Sequence, residues 1–274
     1  MSISVLMSVY HKEKPEYFHE AMNSIWDKQT LKPNEIILVE DGKLTNELYK
    51  EISYWKNKLG EVLKIIKLKN NKGLTKALNV GLKHCTCDFI ARMDTDDITS
   101  PDRFIKQFEF LNNNKDIHVV GGSIQEFNDH NPKLNIRKYP ASNIEARQYI
   151  VKASPLAHAT VMFRRSIFDD GIKYSERYRT SQDIALWFNI LSLNYKIANI
   201  KDIIYYVRVS DDFYTRRSRQ KSINEFKIYW NGIINLYGYN LKLIYPILRL
   251  AFRLLPNSIV KFFYTSSLRK KMLN

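Results

Sequence analysis

Residues 89–98 read FIARMDTDDI, a short apolar run followed by three aspartates within four positions. The apolar run is typical of a buried strand. Carboxylates this close repel one another unless a cation neutralises them. Their oxygens suit hard ions such as Mg²⁺ or Mn²⁺, and Mg²⁺ in particular is usually coordinated by substrate phosphates as well. The segment therefore predicts a strand that brings Asp94, Asp96 and Asp97 to a metal site. The alternative is a helix start in which Asp97 or Ser100 is the cap.

The segments before this run alternate short β-branched stretches with stretches of helical period. We expect strands at 3–9, 35–39, 62–68 and 89–93, and helices from Pro15, at 47–59 and at 74–84. This alternation predicts an α/β fold with a mostly parallel, doubly wound sheet flanked by helices. The strict alternation is lost after Pro101, where we expect a helix to about residue 112, strands at 117–120, 157–163 and 196–209, and a helix at 181–193.

Polar residues follow three of these predicted strands. They read SVYH at 8–11, EDG at 40–42 and DTDD at 94–97. In parallel α/β sheets, ligands bind outside the carboxyl ends of the strands. We therefore expect the chemistry of the protein at this edge.

The charge of the chain is strongly positive and unevenly placed. The 274 residues carry a net charge of +15, and residues 205–274 alone hold 13 basic and three acidic residues. A basic protein can bind nucleic acid, a membrane surface or a phosphorylated substrate. The two cysteines, Cys85 and Cys87, are too close for an ordinary disulfide, which favours a reducing compartment, and no signal peptide is predicted at the start of the chain.

Six segments in order resemble glycosyltransferase family 2, across roughly residues 2–210. They are MSVY (7–10), VEDG (39–42), NKGLTKALNVG (71–81), ARMDTDDI (91–98), HATVMFRRS (158–166) and SQDIALW (181–187). The resemblance implies the GT-A fold, which is Rossmann-like. It also implies transfer of a sugar from a nucleotide diphosphate sugar, with inversion at the anomeric carbon.

The resemblance also implies a donor site. In it, Ser8 and Tyr10 border the nucleotide pocket, Asp41 hydrogen-bonds the uracil, and Lys76 lies near the nucleotide. Asp94 and Asp96 match the acidic pair that binds the ribose side and, with Asp97 adjoining, holds Mn²⁺ or Mg²⁺ at the donor diphosphate. A turn residue is the alternative for Asp41, and an exposed helical lysine is the alternative for Lys76.

The acceptor hydroxyl needs a base, because a neutral alcohol is a poor nucleophile. Asp183 matches the family's acidic position before an aliphatic and Trp segment, where most members have Glu-Asp and this chain has Gln182-Asp183. The alternative is a carboxylate that stabilises a helix N-terminus. Five further residues are predicted to line the acceptor or bind a diphosphate: His158, Arg164, Arg208, Arg216 and Arg217. A structural histidine and a solvated basic face are the alternatives.

The resemblance and the charge together divide the chain. We predict a catalytic domain at 1–215, with a nucleotide-binding half (1–100) and an acceptor half (101–215), and a basic amphipathic helical tail at 216–274. Lys242, Arg249 and Arg253 fall on one helical stripe of that tail. The charge-free stretch 228–241 is too short to span a bilayer. The tail therefore indicates a peripheral protein on the cytoplasmic face of the inner membrane; the alternative is a helical cap packed on the domain.

These observations predict an inverting transferase that moves a hexose, glucose or galactose in preference to an N-acetylhexosamine, from a UDP-sugar. The expected acceptor is GlcNAc- or GalNAc-diphospho-undecaprenol, with a β linkage, β-1,3 for instance, in O-antigen or other surface polysaccharide assembly. Two other classes stay open at this point. They are a metal-dependent nucleotidyltransferase or phosphotransferase, and a basic nucleic-acid-binding protein.

Overall fold

The computed structural model describes residues 2–178, 180–209 and 219–254. Its strands are β1 (Ile3–Val9), β2 (Glu35–Asp41), β3 (Leu63–Leu68), β4 (Phe89–Arg92), β5 (Ile98–Thr99), β6 (Val119–Phe127), β7 (Ile136–Arg137), β8 (Met162–Arg164) and β9 (Ile197–Arg208). Its helices are α1 (Pro15–Ile25), α2 (Asn46–Leu59), α3 (Leu74–Leu82), α4 (Arg103–Asn113), α5 (Asn143–Tyr149), α6 (Ser166–Asp169), α7 (Gln182–Ser192), α8 (Arg219–Tyr237) and α9 (Ile244–Leu254). The strands form one sheet in the order β3-β2-β1-β4-β8-β6-β9-β5, and β7 pairs with β6.

The first half of the sheet is parallel and covered on both faces. Strands β3, β2, β1 and β4 pair in parallel, as the sequence predicts. Val5 and Met7 of β1 pack in the core with α1 and α2, whereas Leu6 packs in the core with α3. Because successive side chains of a strand point to opposite faces, a strand between two helical layers is apolar throughout.

The second half of the sheet is mixed. β8 runs antiparallel to both β4 and β6, and β9 runs parallel to β6 with an irregular register near Gly122 and Ser123. The predicted strand at 157–163 is wrong in its first part, because His158–Thr160 is a 3₁₀ turn and only Met162–Arg164 is a strand. The Thr160 hydroxyl donates to the Ala157 carbonyl at 2.8 Å, and this local bond closes the turn.

The predicted boundary at 215/216 does not separate two packing units. Ile228, Tyr229 and Ile233 of α8 are buried in the same core as the residues of α7. Gly232 of α8 lies directly against the ring of Phe188 on α7. Helix α8 is therefore part of the catalytic domain rather than the start of a separate tail.

The basic stripe of the tail faces the protein, contrary to the expectation of a membrane-facing stripe. Arg249 and Arg253 of α9 both pair with the buried carboxylate of Glu225 on α8, at 3.2 and 2.9 Å. The apolar residues Ile244 and Leu248 of α9 are exposed instead. No helix in the described part of the chain is long and apolar enough to cross a membrane. The rest of the predicted tail, at 216–218 and 255–274, lies outside the described residues.

Candidate active site

The carboxyl ends of β1, β2 and β4 meet at one edge of the sheet. Val9 pairs with Glu40, and Leu6 pairs with Arg92. The polar segments that follow these strands therefore lie side by side. The hydroxyl of Thr95, for example, donates to the Ser8 carbonyl at 3.5 Å. The polar segments after β1 and β4 are neighbours at this edge, and their role as a ligand site stays a prediction.

Residues 94–97, which we call the acidic loop, bring three carboxylates together. One oxygen from each of Asp94, Asp96 and Asp97 can lie within 4.8 Å of the others. Strand β9 holds the loop, because the Arg208 amide donates to Asp97 Oδ1 at 2.7 Å and the Arg208 side chain donates through Nε to the Asp96 carbonyl at 3.0 Å. The Asp94 amide in turn donates to the hydroxyl of Tyr205 at 3.1 Å.

A buried arginine at the end of β4 orients the first aspartate of the loop. Arg92 is only 3% exposed, and its two terminal nitrogens donate to the two carboxylate oxygens of Asp94. Its backbone carbonyl accepts from the buried Arg103 at 2.7 Å. A bidentate pair of this kind fixes both the position and the plane of the carboxylate. Arg92 was not among the predicted site residues, although a basic residue in a buried apolar strand needs an acidic partner and Asp94 follows it by two positions.

The acidic loop holds more negative charge than its protein surroundings balance. Burial and the neighbouring carboxylates raise the pKa of Asp96 to about 7, and they raise the pKa of Asp97 well above its usual range. The pKa of nearby Glu13 is also raised by burial. Arg92 compensates one of these charges. Clustered oxygen donors that favour a compensating positive charge fit a divalent cation such as Mg²⁺ or Mn²⁺.

Asp41 holds a second loop at the same edge. Its carboxylate oxygens accept from the amides of Lys72, at 2.6 Å, and Gly73, at 2.9 Å. These bonds fix the segment that leads into α3, and each oxygen retains a free lone pair for a ligand donor. Gly42 has a φ of +87°, and a Cβ there would lie 2.5 Å from the Asn71 nitrogen, so this turn requires glycine. The uracil contact of Asp41 stays a prediction.

The other predicted nucleotide residues border this edge. Tyr10 follows β1 and is 42% exposed. Lys76 lies in the first turn of α3, half-exposed, with its ammonium 3.9 Å from a Glu176 oxygen. Ser8, Tyr10 and Lys76 are thus near the loops that Asp41 and Asp94 occupy, and their contacts with a nucleotide stay predictions.

Asp183 lies in the first turn of α7, after Ser181, which adopts a left-handed φ of +59°. Burial raises the pKa of the Asp183 carboxyl, and the positive charge of Arg92 partly offsets this rise. Helix α7 lies near the end of β4, because the ring of His158 is 6.1 Å from that of Trp187 on α7 and the nearby Val161 carbonyl accepts from the Arg92 amide at 2.9 Å. A carboxylate with a raised pKa is a stronger proton acceptor than an ordinary aspartate once it is ionised.

His158 is near the same arginine. Its Nε2 is 2.8 Å from the hydroxyl of Tyr174, and burial and Arg92 hold the pKa of its imidazole well below the usual range. The ring is therefore neutral at physiological pH. Its place beside the site agrees with an acceptor-side residue, and that role stays a prediction.

Two predicted arginines require correction. Arg164 pairs with Phe89 at the start of β4, which is the opposite edge of the sheet, and its guanidinium donates to the carbonyls of Leu111, Asn114 and Ile117. Because β8 runs antiparallel to β4, Arg164 lies away from the acidic loop, and its hydrogen bonds tie β8 to the end of α4 and the segment after it. Arg208 does lie at the site, but its guanidinium donates to Glu20, Asp129 and the Asp96 carbonyl, so it positions the acidic loop. Arg216 and Arg217 lie outside the described residues.

A half-parallel sheet that carries an acidic loop at its strand ends fits a transferase of nucleotide-activated groups. Residues 4–172 match the family model "Glycosyl transferase family 2". The chain belongs to this family and is a glycosyltransferase. This result sets aside the nucleotidyltransferase and nucleic-acid-binding alternatives.

The chain matches two curated relatives over almost the whole length of each. The amylovoran biosynthesis glycosyltransferase AmsE of Erwinia amylovora is 34% identical over 263 residues, 95% of this chain and 97% of that protein. The UDP-Gal:alpha-D-GlcNAc-diphosphoundecaprenol beta-1,3-galactosyltransferase of Escherichia coli is 34% identical over 271 residues, 97% and 96% of the two chains.

A solved structure supports the fold. The mannosyltransferase PcManGT from Pyrobaculum calidifontis, in complex with GDP-Man and Mn²⁺, aligns with a TM-score of 0.62 and 16% identity, over 94% of this chain and 71% of that one. The GT-A fold implied by the sequence resemblance is confirmed. Mn²⁺ is bound in that neighbour, and an acidic cluster of three aspartates is present here.

Proposed function

We propose that this glycosyltransferase moves a hexose, glucose or galactose, from a UDP-sugar to a lipid-linked GlcNAc or GalNAc diphosphate. The product is a β linkage, β-1,3 in the favoured case, in bacterial surface polysaccharide assembly. The name of the Escherichia coli relative supports this donor, acceptor and linkage, and the name of the Erwinia relative supports the polysaccharide setting.

One observation carries the proposal. The acidic loop gathers three carboxylates at the carboxyl ends of the parallel strands, and Arg92 orients the first of them. A transfer with inversion needs a donor diphosphate on one side of the anomeric carbon and a base on the other. The acidic loop supplies a site for the cation of the donor diphosphate, and the buried Asp183, whose carboxyl pKa is raised, is the proposed base.

The chemistry follows from the side chains present. Asp94, Asp96 and Asp97 would hold Mn²⁺ or Mg²⁺, and this ion supplies compensation for the negative charge on the departing UDP. The acceptor oxygen forms a bond to the anomeric carbon while the bond from that carbon to the UDP oxygen breaks. UDP leaves with the electron pair, and Asp183 takes the proton of the acceptor hydroxyl.

The test is a UDP-release assay with a panel of UDP-sugars, with Mn²⁺ or EDTA, and with a synthetic diphosphate-linked GlcNAc acceptor. We expect release that requires both metal and acceptor. Asp183→Asn should retain UDP binding and lose transfer, whereas Asp169→Asn, on the exposed end of α6, should behave as wild type. Near-normal turnover of Asp183→Asn would show that another group is the base.

We also propose a peripheral location on the cytoplasmic face of the inner membrane. The net charge of +15 and the exposed apolar residues of α9 and the turn before it support this location. Leu241 is 93% exposed and Leu248 is 58% exposed. The variant Leu241→Ser/Leu248→Ser should float less with anionic vesicles than the wild type. Unchanged flotation would mean that another surface contacts the lipid.

A further inference from the structure

A cavity of about 540 Å³ lies between α5 and the strands β6 and β9. Its size is that of a typical small-ligand site. Three lysines line it, Lys138 before α5, Lys152 after α5 and Lys201 on β9. The rings of Tyr139 and Tyr149 line it as well. We call this cavity the lysine pocket.

The lysine pocket has an excess of positive charge. Lys138, Lys152 and Lys201 are exposed, and within the described part of the chain none of the three forms an ion pair with a carboxylate. Among the described lining residues the carboxylate is that of Glu145, which accepts from the Ser142 amide at 2.9 Å in the cap of α5. Three lysines against one engaged carboxylate favour an anionic ligand.

The position of the lysine pocket relates it to the proposed reaction. The carbonyl of Lys152 accepts from Arg249 of α9 at 2.9 Å, and the Lys152 ammonium lies 5.8 Å from the ring centre of Tyr245. Arg249 also donates to Glu225 at 3.2 Å, and Glu225 accepts at 3.3 Å from the hydroxyl of Ser181, two residues before Asp183. The Lys152 side of the pocket is therefore next to α9 and close to the start of α7, which carries the predicted base.

We propose that the lysine pocket binds the diphosphate of the lipid-linked acceptor. This inference rests on the proposed function and assigns the acceptor diphosphate to the lysine pocket. Lysine ammonium groups bind phosphate as mobile point charges. With the diphosphate here, the acceptor sugar extends toward the start of α7 and Asp183, and the lipid chain runs toward the exposed apolar face of α9.

The kinetic test compares two acceptors that differ only in the diphosphate. One is GlcNAc joined through a diphosphate to an undecyl chain, and the other is undecyl β-GlcNAc. Lys138→Gln/Lys201→Gln should raise the KM of the diphosphate acceptor about tenfold or more, and leave that of the glycoside unchanged. The control Lys83→Gln/Lys115→Gln removes the same charge at exposed positions near the opposite edge of the sheet and should change neither. Equal losses with both acceptors, or in both variants, would overturn the proposal.

A binding test separates this inference from the reaction. Undecyl diphosphate and inorganic pyrophosphate are titrated by calorimetry in EDTA, so that no metal bridges them to the acidic loop. The wild type should bind undecyl diphosphate more tightly than pyrophosphate, and Lys138→Gln/Lys201→Gln should bind it about tenfold less tightly. Equal affinity for both probes, or no binding of either, would overturn the lipid-linked assignment. Lysine-dependent binding without sugar transfer would support the pocket and contradict the proposed function.

Discussion

Gly232→Ala tests whether α8 is packed on the helix that carries the predicted base. A Cβ at Gly232 would lie 2.6 Å from Cδ1 of Phe188 and closer still to Cγ and Cδ2. Carbon atoms in contact prefer about 3.5–4.0 Å, so the ring would have to move by about 1 Å. Phe188 is 4% exposed and lies edge-to-face with Tyr229, at 5.7 Å between ring centres. There is little room for such a movement.

The sign of the effect decides the test. Replacing glycine by alanine inside a helix stabilises by about 1 kcal/mol, whereas overpacking a core costs about 1–3 kcal/mol. Because the contacts would be as short as 2.3–2.6 Å, we expect the overpacking cost to prevail, with a net loss of up to about 2 kcal/mol in the free energy of unfolding, equivalent to up to about 8 °C in Tm. Urea denaturation followed by tryptophan fluorescence, to which the buried Trp55 and Trp187 contribute, measures it.

Two further variants complete the test. Asn235→Ala, exposed on the same helix, should be neutral or slightly stabilising. In a Phe188→Leu background the cost of Gly232→Ala should fall, which a double-mutant cycle detects as coupling. Stabilisation by Gly232→Ala in the wild-type background would refute the packing of α8 against α7, and with it the placement of α8 inside the catalytic domain.

Three other outcomes are expected. Mn²⁺ at a hundredfold excess over its Kd should stabilise the protein by about 3 kcal/mol at about pH 8. The stabilisation should be smaller at about pH 5.5, because protons compete with the metal at Asp96, whose pKa is raised to about 7. A Mn²⁺-induced Tm shift in Asp96→Asn equal to that of the wild type would contradict this. The acid limb of kcat should lie above the ordinary aspartate range, since burial raises the pKa of Asp183 and the base acts only when ionised; a limb in the ordinary range would exclude Asp183. Glu225→Gln should speed amide hydrogen exchange across α9, whereas Glu61→Gln on the surface should not. The expected loss in the stability of α9 is about 1–2 kcal/mol, because the two arginine partners of Glu225 are about 30% exposed. Unchanged exchange in Glu225→Gln would show that α9 is held by other contacts.

The nucleotide-binding half could be predicted from sequence because its signals are local. The strands at 3–9 and 35–41 contain the apolar runs VLM (5–7) and IILV (36–39), and parallel strands bring their carboxyl ends to one edge. The polar residues that follow the two strands therefore lie close together. The pairing of Arg92 with Asp94 also had a signal in the sequence, because a basic residue in a buried strand needs an acidic partner.

The role of Arg164 could not be predicted because it depends on strand direction. Residues 162–164 form a three-residue strand, and nothing in such a short run shows whether it pairs parallel or antiparallel to β4. Antiparallel pairing places the end of β8 at the edge opposite the acidic loop. Arg208 ends β9, which runs the other way relative to β8, and this direction takes it to the acidic loop.

Helical periodicity alone could not predict which side of α9 faces the protein. The offsets of Lys242, Arg249 and Arg253 predict one helical face, although Lys242 lies in the turn before α9, and a face has no direction until its partner is known. Glu225, 24 residues before Arg249, is that partner, and its burial makes an unpaired carboxylate costly enough to draw both arginines inward. The side of α9 left to the solvent is then its apolar side. Contact with a lipid surface, if α9 makes it, must therefore rest on buried apolar area, with the positive charge supplied by other residues such as those of the lysine pocket.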